Sequence, residues 1–501
     1  MHPDQDTELP RANAFSLTRR NLLKRALAAG GIVSMGGISP GLAWARKVEK
    51  EEGTPEQETN TALALARILN PTRFDDLPLV AVEHAKMIIA STLASAAAGS
   101  LIGSARIVRE LAEEHGGKPE ATVWFDGARL PAHEVARVNA ILSDAAASDD
   151  SDMRNTAHHG TTLTSVGLSI AERTGATGQD LLLAMVIGYE AAGRIGETRM
   201  GGRGGVHASQ IVAFGGTVAA AKLLKLTDEQ MAHAIGITAI TQGGLSIGTN
   251  SWAREYMAAN AAFCAVNAAL AASRGFTVNE NILEPPGGFV DVYGGGNVES
   301  LTGDLQEWDI VRYLAIKLWP GAHPFSSTVE AAVDAARQAD VQPEEVAQIL
   351  VSGRNRTTLS GSRRPRDLIE AIHSLPYFVA SAVADKDFSW IHATSEKIHN
   401  PVTTMLMDLV DIDPSPPLVS YDWNWGGTVT IVTKSGGRYT STVDAPLGSG
   451  PRSIEWSDVD AKYHALLPDS GLPANRIEQV LNVIHEFEGV EDVSELTTLL
   501  S

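Results

Sequence analysis

The sequence contains a single cysteine, Cys264, in 501 residues. One thiol excludes an intramolecular disulfide and a multi-cysteine iron–sulfur cluster. In "NAAFCAVNAALAA" it reads as a small buried hydrophobe. Stability must then come from a large core, and a chain of this length can build one. Basic residues are also in short supply: 40 Lys and Arg against 60 Asp and Glu give a formal charge of −20. That balance argues against nucleic acid and anionic membrane surfaces as partners, while a few arginines can still dominate one pocket. No H-E-x-x-H or other spaced ligand set surrounds the adjacent His158 and His159, so no metal is expected. The glycine-rich "GGRGGVHASQ" lacks the G-x-G-x-x-G spacing and reads as close backbone packing before His207, not as a cofactor loop. No cofactor is expected, nor is a serine hydrolase built on a nucleophile elbow. The longest apolar stretch, "LVAVEHAKMIIASTLASAAAG", is interrupted by Glu83, His84 and Lys86, which suits a soluble packed helix better than a membrane span.

The N-terminus, by contrast, carries a clear pattern. Arg19 and Arg20, then Leu22, Leu23 and Lys24, precede a modest apolar run and the A-x-A pattern Ala43-Trp44-Ala45. This reads as a twin-arginine signal peptide, residues 1–45, cleaved near Ala45, with no stable membrane insertion afterwards. The partner it implies is the twin-arginine export machinery, and the destination is the periplasm. Residues 46–60 form a charged linker. From 61 to 276 the pattern is helical and rich in Ala, Leu, Ile and Val, with Thr227 and Gln230 placed as a capping box. After "EPPGGFVDVYGGG" the texture changes. β-type runs, "VAQILVSG", "GTVTIVTKSG" and "RYTSTVDA", alternate with helices over 277–450, and "KSGG" marks a hairpin turn. Residues 451–501 return to helix. The expected fold is mainly α: a large all-helical domain formed by both ends of the mature chain, with a smaller α+β lid domain inserted.

The chemistry-bearing residues fall at junctions between elements. "SDDSDMRNTAHHG" places Asp149, Asp150, Asp152, His158 and His159 between two apolar segments. It reads either as a helix end meeting water or as the acid/base rim of a pocket. His207 follows the glycine loop, Lys317 and His323 stand in "AIKLWPGAHP", and Tyr377 in "HSLPYFVASAV". Such groups suit proton transfer beside a carboxylate.

In these stretches, together with "GYEAAGRIG", "GVHASQIVAFGGTVAAAKLLKL" and "GFTVNENILEPPGGF", the chain resembles the MmgE/PrpD family from about Thr61 to the C-terminus. The family comprises dehydratases, decarboxylases and epimerases of small di- and tricarboxylates. The resemblance implies a homodimer and a metal-independent site between the domains. It assigns catalytic roles to Asp149, His158, His207, Lys317 and Tyr377, with Asp152 the alternative to Asp149 as the family's carboxylate. Arg254, Asp152 and His159 are expected to contact substrate. Where relatives often show K-x-x-H-x-G, this chain has Arg254, Met257 and Ala259. Arginine still grips a carboxylate, but it cannot give up a proton near neutral pH, and the histidine is lost. The expected function is a cofactor-independent lyase for a small anionic polycarboxylate. An epimerase or isomerase for the same substrates and a non-catalytic periplasmic binding protein are the alternatives. The sequence names neither the substrate nor the choice among dehydration, decarboxylation and epimerisation.

Overall fold

Alanine, serine and glycine at helix-facing positions let helices approach closely, and that is how the larger core is built. The computed structural model describes residues 60–199, 205–284, 286–295, 298–354 and 356–501. The expected signal peptide, residues 46–59 of the expected linker and residues 200–204 lie outside the described residues. Helices of nine residues or more in the first part are α1 (Thr61–Leu69), α2 (Leu79–Gly99), α3 (Gly103–His115), α4 (Ala132–Ala145), α5 (His159–Thr174), α6 (Gly178–Glu197), α7 (Ser209–Leu223), α8 (Asp228–Thr241) and α9 (Ala253–Ala272). Helices α6 and α7 meet through Gly188 and Gly215: a Cβ on Gly188 would lie 2.6 Å from the Gly215 carbonyl oxygen. The expected capping box opens α8, where the Gln230 N–H donates to Thr227 Oγ1 and the Thr227 N–H to Gln230 Oε1. Helix α2 is long and apolar enough to cross a membrane, yet 83% of its most apolar window is buried within the protein. Its charged positions are satisfied internally: Lys86 Nζ donates to the His485 carbonyl at 2.8 Å and lies 2.7 Å from Glu83 Oε1.

A second core lies under a four-stranded sheet of order β6-β5-β7-β8, formed by β5 (Val346–Gly353), β6 (Val410–Ile412), β7 (Gly427–Thr433) and β8 (Arg438–Val443). β5 and β6 run parallel, and the β7–β8 hairpin turns through "KSGG" as its sequence indicates. Helices α10 (Ser326–Ala339) and α11 (Leu375–Asp385) pack on this sheet, burying Val329, Phe378 and Val379 with Ile349 and Ile431. The molecule is mostly helical with small sheets.

The boundary at 277 needs correction. Leu283, Phe289, Leu301, Ile310, Leu314 and Ile316 are buried in the larger, helical core, and the second core begins only at Phe325. The Pro- and Gly-rich stretch that suggested a domain change is an irregular strap across the helices, with Phe289 packed edge-on against Phe214 of α7. After the sheet, α12 (Trp456–Leu466) returns to α2, where Lys462 Nζ donates to Ser91 Oγ at 2.6 Å.

Candidate active site

The stretch "SDDSDMRNTAHHG" is not a solvated loop. Between α4 and α5 the chain forms a short strand, β3 (Asp150–Asp152), paired antiparallel with β4 (Leu314–Ile316). Asp149, Asp150 and Asp152 are all buried. The register Asp150↔Ile316 sets Asp149 opposite Lys317, whose N–H donates to the Asp149 carbonyl. Directly opposed residues point to one face, so Lys317 Nζ reaches Asp149 Oδ1 at 2.7 Å. The other carboxylate oxygen accepts from Thr161 Oγ1 at 3.0 Å and lies 3.1 Å from His158 Nδ1. His158 precedes α5, and its Nδ1 also lies 2.7 Å from the Asp150 carbonyl oxygen. A carbonyl can only accept, so Nδ1 carries a proton and Nε2 is left to meet a ligand.

Burial alone would raise the Asp149 carboxyl, but His158 and Lys317 outweigh it and hold it well below the usual range. Burial likewise opposes charge on His158, and the Asp149 carboxylate overcomes it, raising His158 above its ordinary value. The result is an ionised aspartate that keeps a histidine protonated. Gly160 is required here: its N–H donates to both Asp150 carboxylate oxygens, and a Cβ would stand 2.6 Å from Asp150 Oδ1.

His158 opens on a cavity of about 350 Å³ whose lining includes Arg199, His207, Arg254, Lys317, His323 and His373. No Asp or Glu lines it among the described residues. Arg254, in the first turn of α9, donates through Nη2 to the Asp144 carbonyl at 2.7 Å, and its Nε has no partner. His207 Nδ1 accepts the Ser209 N–H, so the neutral ring carries its proton on Nε2. Burial, joined by nearby cations, pushes His207 down to about 4. His373 has the opposite tautomer, Nδ1 facing the Ile369 carbonyl at 2.9 Å, and burial pushes it down to about 3. His323, its ring tilted against Trp425, is also driven well below its usual value by burial.

Four of the expected residues, His158, His207, Lys317 and Arg254, line this one cavity, and Asp149 lies directly behind His158. Three are placed elsewhere. Tyr377 is buried in the second core and donates its hydroxyl to the His392 carbonyl at 2.6 Å. Asp152 accepts two hydrogen bonds from the Arg154 guanidinium in a buried network with Asp309, so it is a structural anchor and Asp149 is the carboxylate at the site. His159 is fully buried with its ring against Tyr189. Residues i and i+1 at a helix start diverge, so only one of the two histidines faces the cavity.

Neither Arg199 nor His373 is named from the sequence, and His323 is named there without a role at the site. The two histidines stand in "AIKLWPGAHP" and "HSLPYFVASAV", so the signal was present; Arg199 follows "GYEAAGRIG" with no motif of its own. The expectation of no nucleophile elbow also needs restating, because Gly244-Leu245-Ser246-Ile247-Gly248 has the G-x-S-x-G spacing. Its context is wrong for that role. Ser246 opens a 3₁₀ turn, not a strand-to-helix elbow, and among the described residues no histidine bonds its hydroxyl.

The chain is similar to human cis-aconitate decarboxylase, 23% identical over 441 residues covering 84% of this chain and 90% of that protein. It is similar to the mouse cis-aconitate decarboxylase, 24% identical over 412 residues covering 78% and 83%. It is also similar to the Aspergillus terreus cis-aconitate decarboxylase, 23% identical over 460 residues covering 85% and 93%. The MmgE/PrpD N-terminal domain matches residues 63–301 and the MmgE/PrpD C-terminal domain residues 319–486, so the chain belongs to the MmgE/PrpD family.

Proposed function

We propose that this chain is a lyase acting on a small polycarboxylate, with His158 as its proton donor. The observation that carries this reading is the Asp149–His158 pair at the wall of a cavity lined by Arg199, Arg254 and Lys317 and by no carboxylate among the described residues. The cations favour a multiply charged anion, and the pair keeps a proton ready. The activity named for the relatives supports decarboxylation in particular. In that step the bond to the departing carboxyl carbon breaks and carbon dioxide leaves. The electron pair stays on the substrate carbon, and the His158 imidazolium delivers the Nε2 proton there. Neutral His158 is then recharged from solvent. Arg254 and Lys317 stabilise the negative charge while it builds up.

Dehydration would use the same pair in its neutral form, as a base. The raised proton affinity of His158 favours the donor role. Epimerisation needs a second titrating group, and His207, His323 and His373 are all pushed low. Asp144, Asp149 and His158 bring ligand atoms within 4.8 Å of one another. Lys317 and Arg254 already lie against those two carboxylates, so the reading places no metal there.

The test is mass analysis of products after incubation with cis-aconitate and related di- and tricarboxylates in D₂O. Loss of carbon dioxide with one deuteron gained on carbon is expected, and it should persist in a chelator. Loss of water marks a dehydratase, and deuterium uptake at otherwise unchanged mass an epimerase. Tight binding without product overturns catalysis.

A further inference from the structure

Arg199 is half-buried at the cavity wall beyond the end of α6, on the His207 side. Among the described residues its guanidinium makes one hydrogen bond, from Nη2 to the carbonyl of Val206, the residue before His207, at 3.2 Å. Nε and Nη1 are buried and have no partner. Three other arginines around the helical core are paired with carboxylates, Arg154 with Asp152 and Asp309, Arg194 with Glu190 and Arg254 with Asp144, whereas Arg356, in the second part of the chain, is like Arg199 in having an unpartnered buried Nε. Arg199 has no such carboxylate, and burial alone depresses its proton affinity.

The guanidinium has two edges that can take a carboxylate, Nε with Nη2 and Nη1 with Nη2. Nη2 carries a hydrogen on each edge and Val206 takes one of them. Whichever is taken, the other hydrogen stands beside an unused N–H, so one two-pronged edge stays open. Leaving charged donors buried and unpaired is costly, and a bidentate carboxylate removes the cost.

We infer that Arg199 binds a second carboxylate of the ligand, beside His207, in addition to the one that Arg254 and Lys317 face. The inference rests on reading this cavity as a polycarboxylate site. It makes Arg199 the residue that selects ligands carrying at least two carboxylates. Among the described residues no carboxylate competes for it, so an anionic ligand supplies the missing partner.

The test is calorimetric titration of the full chain and of folded Arg199→Gln and Arg199→Lys variants with three probes: propane-1,2,3-tricarboxylate, succinate and butanoate. Arg199→Gln should weaken the two polycarboxylates by about 10- to 100-fold, as expected for a charge-assisted bond, and leave butanoate unchanged. Arg199→Lys should recover part of the loss. Equal weakening of all three probes would make Arg199 a structural support for the loop and overturn the inference, and so would unchanged polycarboxylate affinity. If the unaltered protein binds none of the probes and turns over no polycarboxylate, the reading of the cavity fails as well. Binding by the unaltered protein with an indifferent Arg199→Gln sinks the Arg199 inference alone.

Discussion

At the residue scale, buried Asp149 and half-buried His158 share charge at the cavity wall. Asp149 stays ionised because His158 and Lys317 outweigh its burial, and His158 stays protonated because Asp149 outweighs its own burial. The sign of the pH dependence follows. His158 has a folded value raised above its ordinary 6.5, so its favourable interaction is fully present below that value. The interaction is lost as pH rises through the raised value. If His158 is the proton donor, kcat should fall with rising pH along a limb centred above 6.5. Asp149→Asn removes the counter-charge while keeping size and polarity, so the limb should move to lower pH. A pH–rate profile for both proteins checks this, and a limb that stays in place in Asp149→Asn would detach Asp149 from His158.

At the element scale, the short pairing of β3 with β4 does most of the work, since it carries Asp149 and Lys317 to the same face. None of this was legible beforehand. Three residues of strand are too few to show a period, and their partner lies more than 160 residues away. The buried aspartates looked like a solvated turn because carboxylates normally are. The long helices, the α8 capping box and the β7–β8 hairpin were legible because local spacing determines them. For the site, the family resemblance singled out His158, His207, Arg254 and Lys317, whereas the direction of a side chain did not show: Tyr377 points into the second core, and His373, four residues earlier, faces the cavity. Gly160 is the place where this element tolerates least. Gly160→Ala would push a methyl against Asp150 Oδ1 and Ile88 Cγ2. It should cost about 1–3 kcal/mol by overpacking and lower turnover with it. Gly489→Ala, which meets nothing within 4 Å, is the control and should change stability by less than about 0.5 kcal/mol. Denaturant melts of the two variants decide it, and a harmless Gly160→Ala would contradict the close packing at the site.

At the scale of the whole molecule, two cores meet around one cavity. The strap from 277 to 316 belongs to the helical core and delivers Lys317 directly to the cavity edge. Gly321 and Ala322 then hand the chain to the second core through bonds to the Ala147 and Ile372 carbonyls. The proposal of export rests on Arg19 and Arg20 ahead of the A-x-A pattern. Replacing both arginines with lysine should leave unprocessed protein in the cytoplasm, as read by fractionation and mass of the N-terminus, and normal periplasmic delivery would rule the route out. Export and chemistry are separate claims, and the chemistry is the central one. Its most direct test is His158→Gln, measured on the folded protein for turnover and for direct ligand affinity with the same substrate. The account predicts turnover reduced by roughly 10²-fold or more with little change in affinity. Normal turnover in His158→Gln would contradict it.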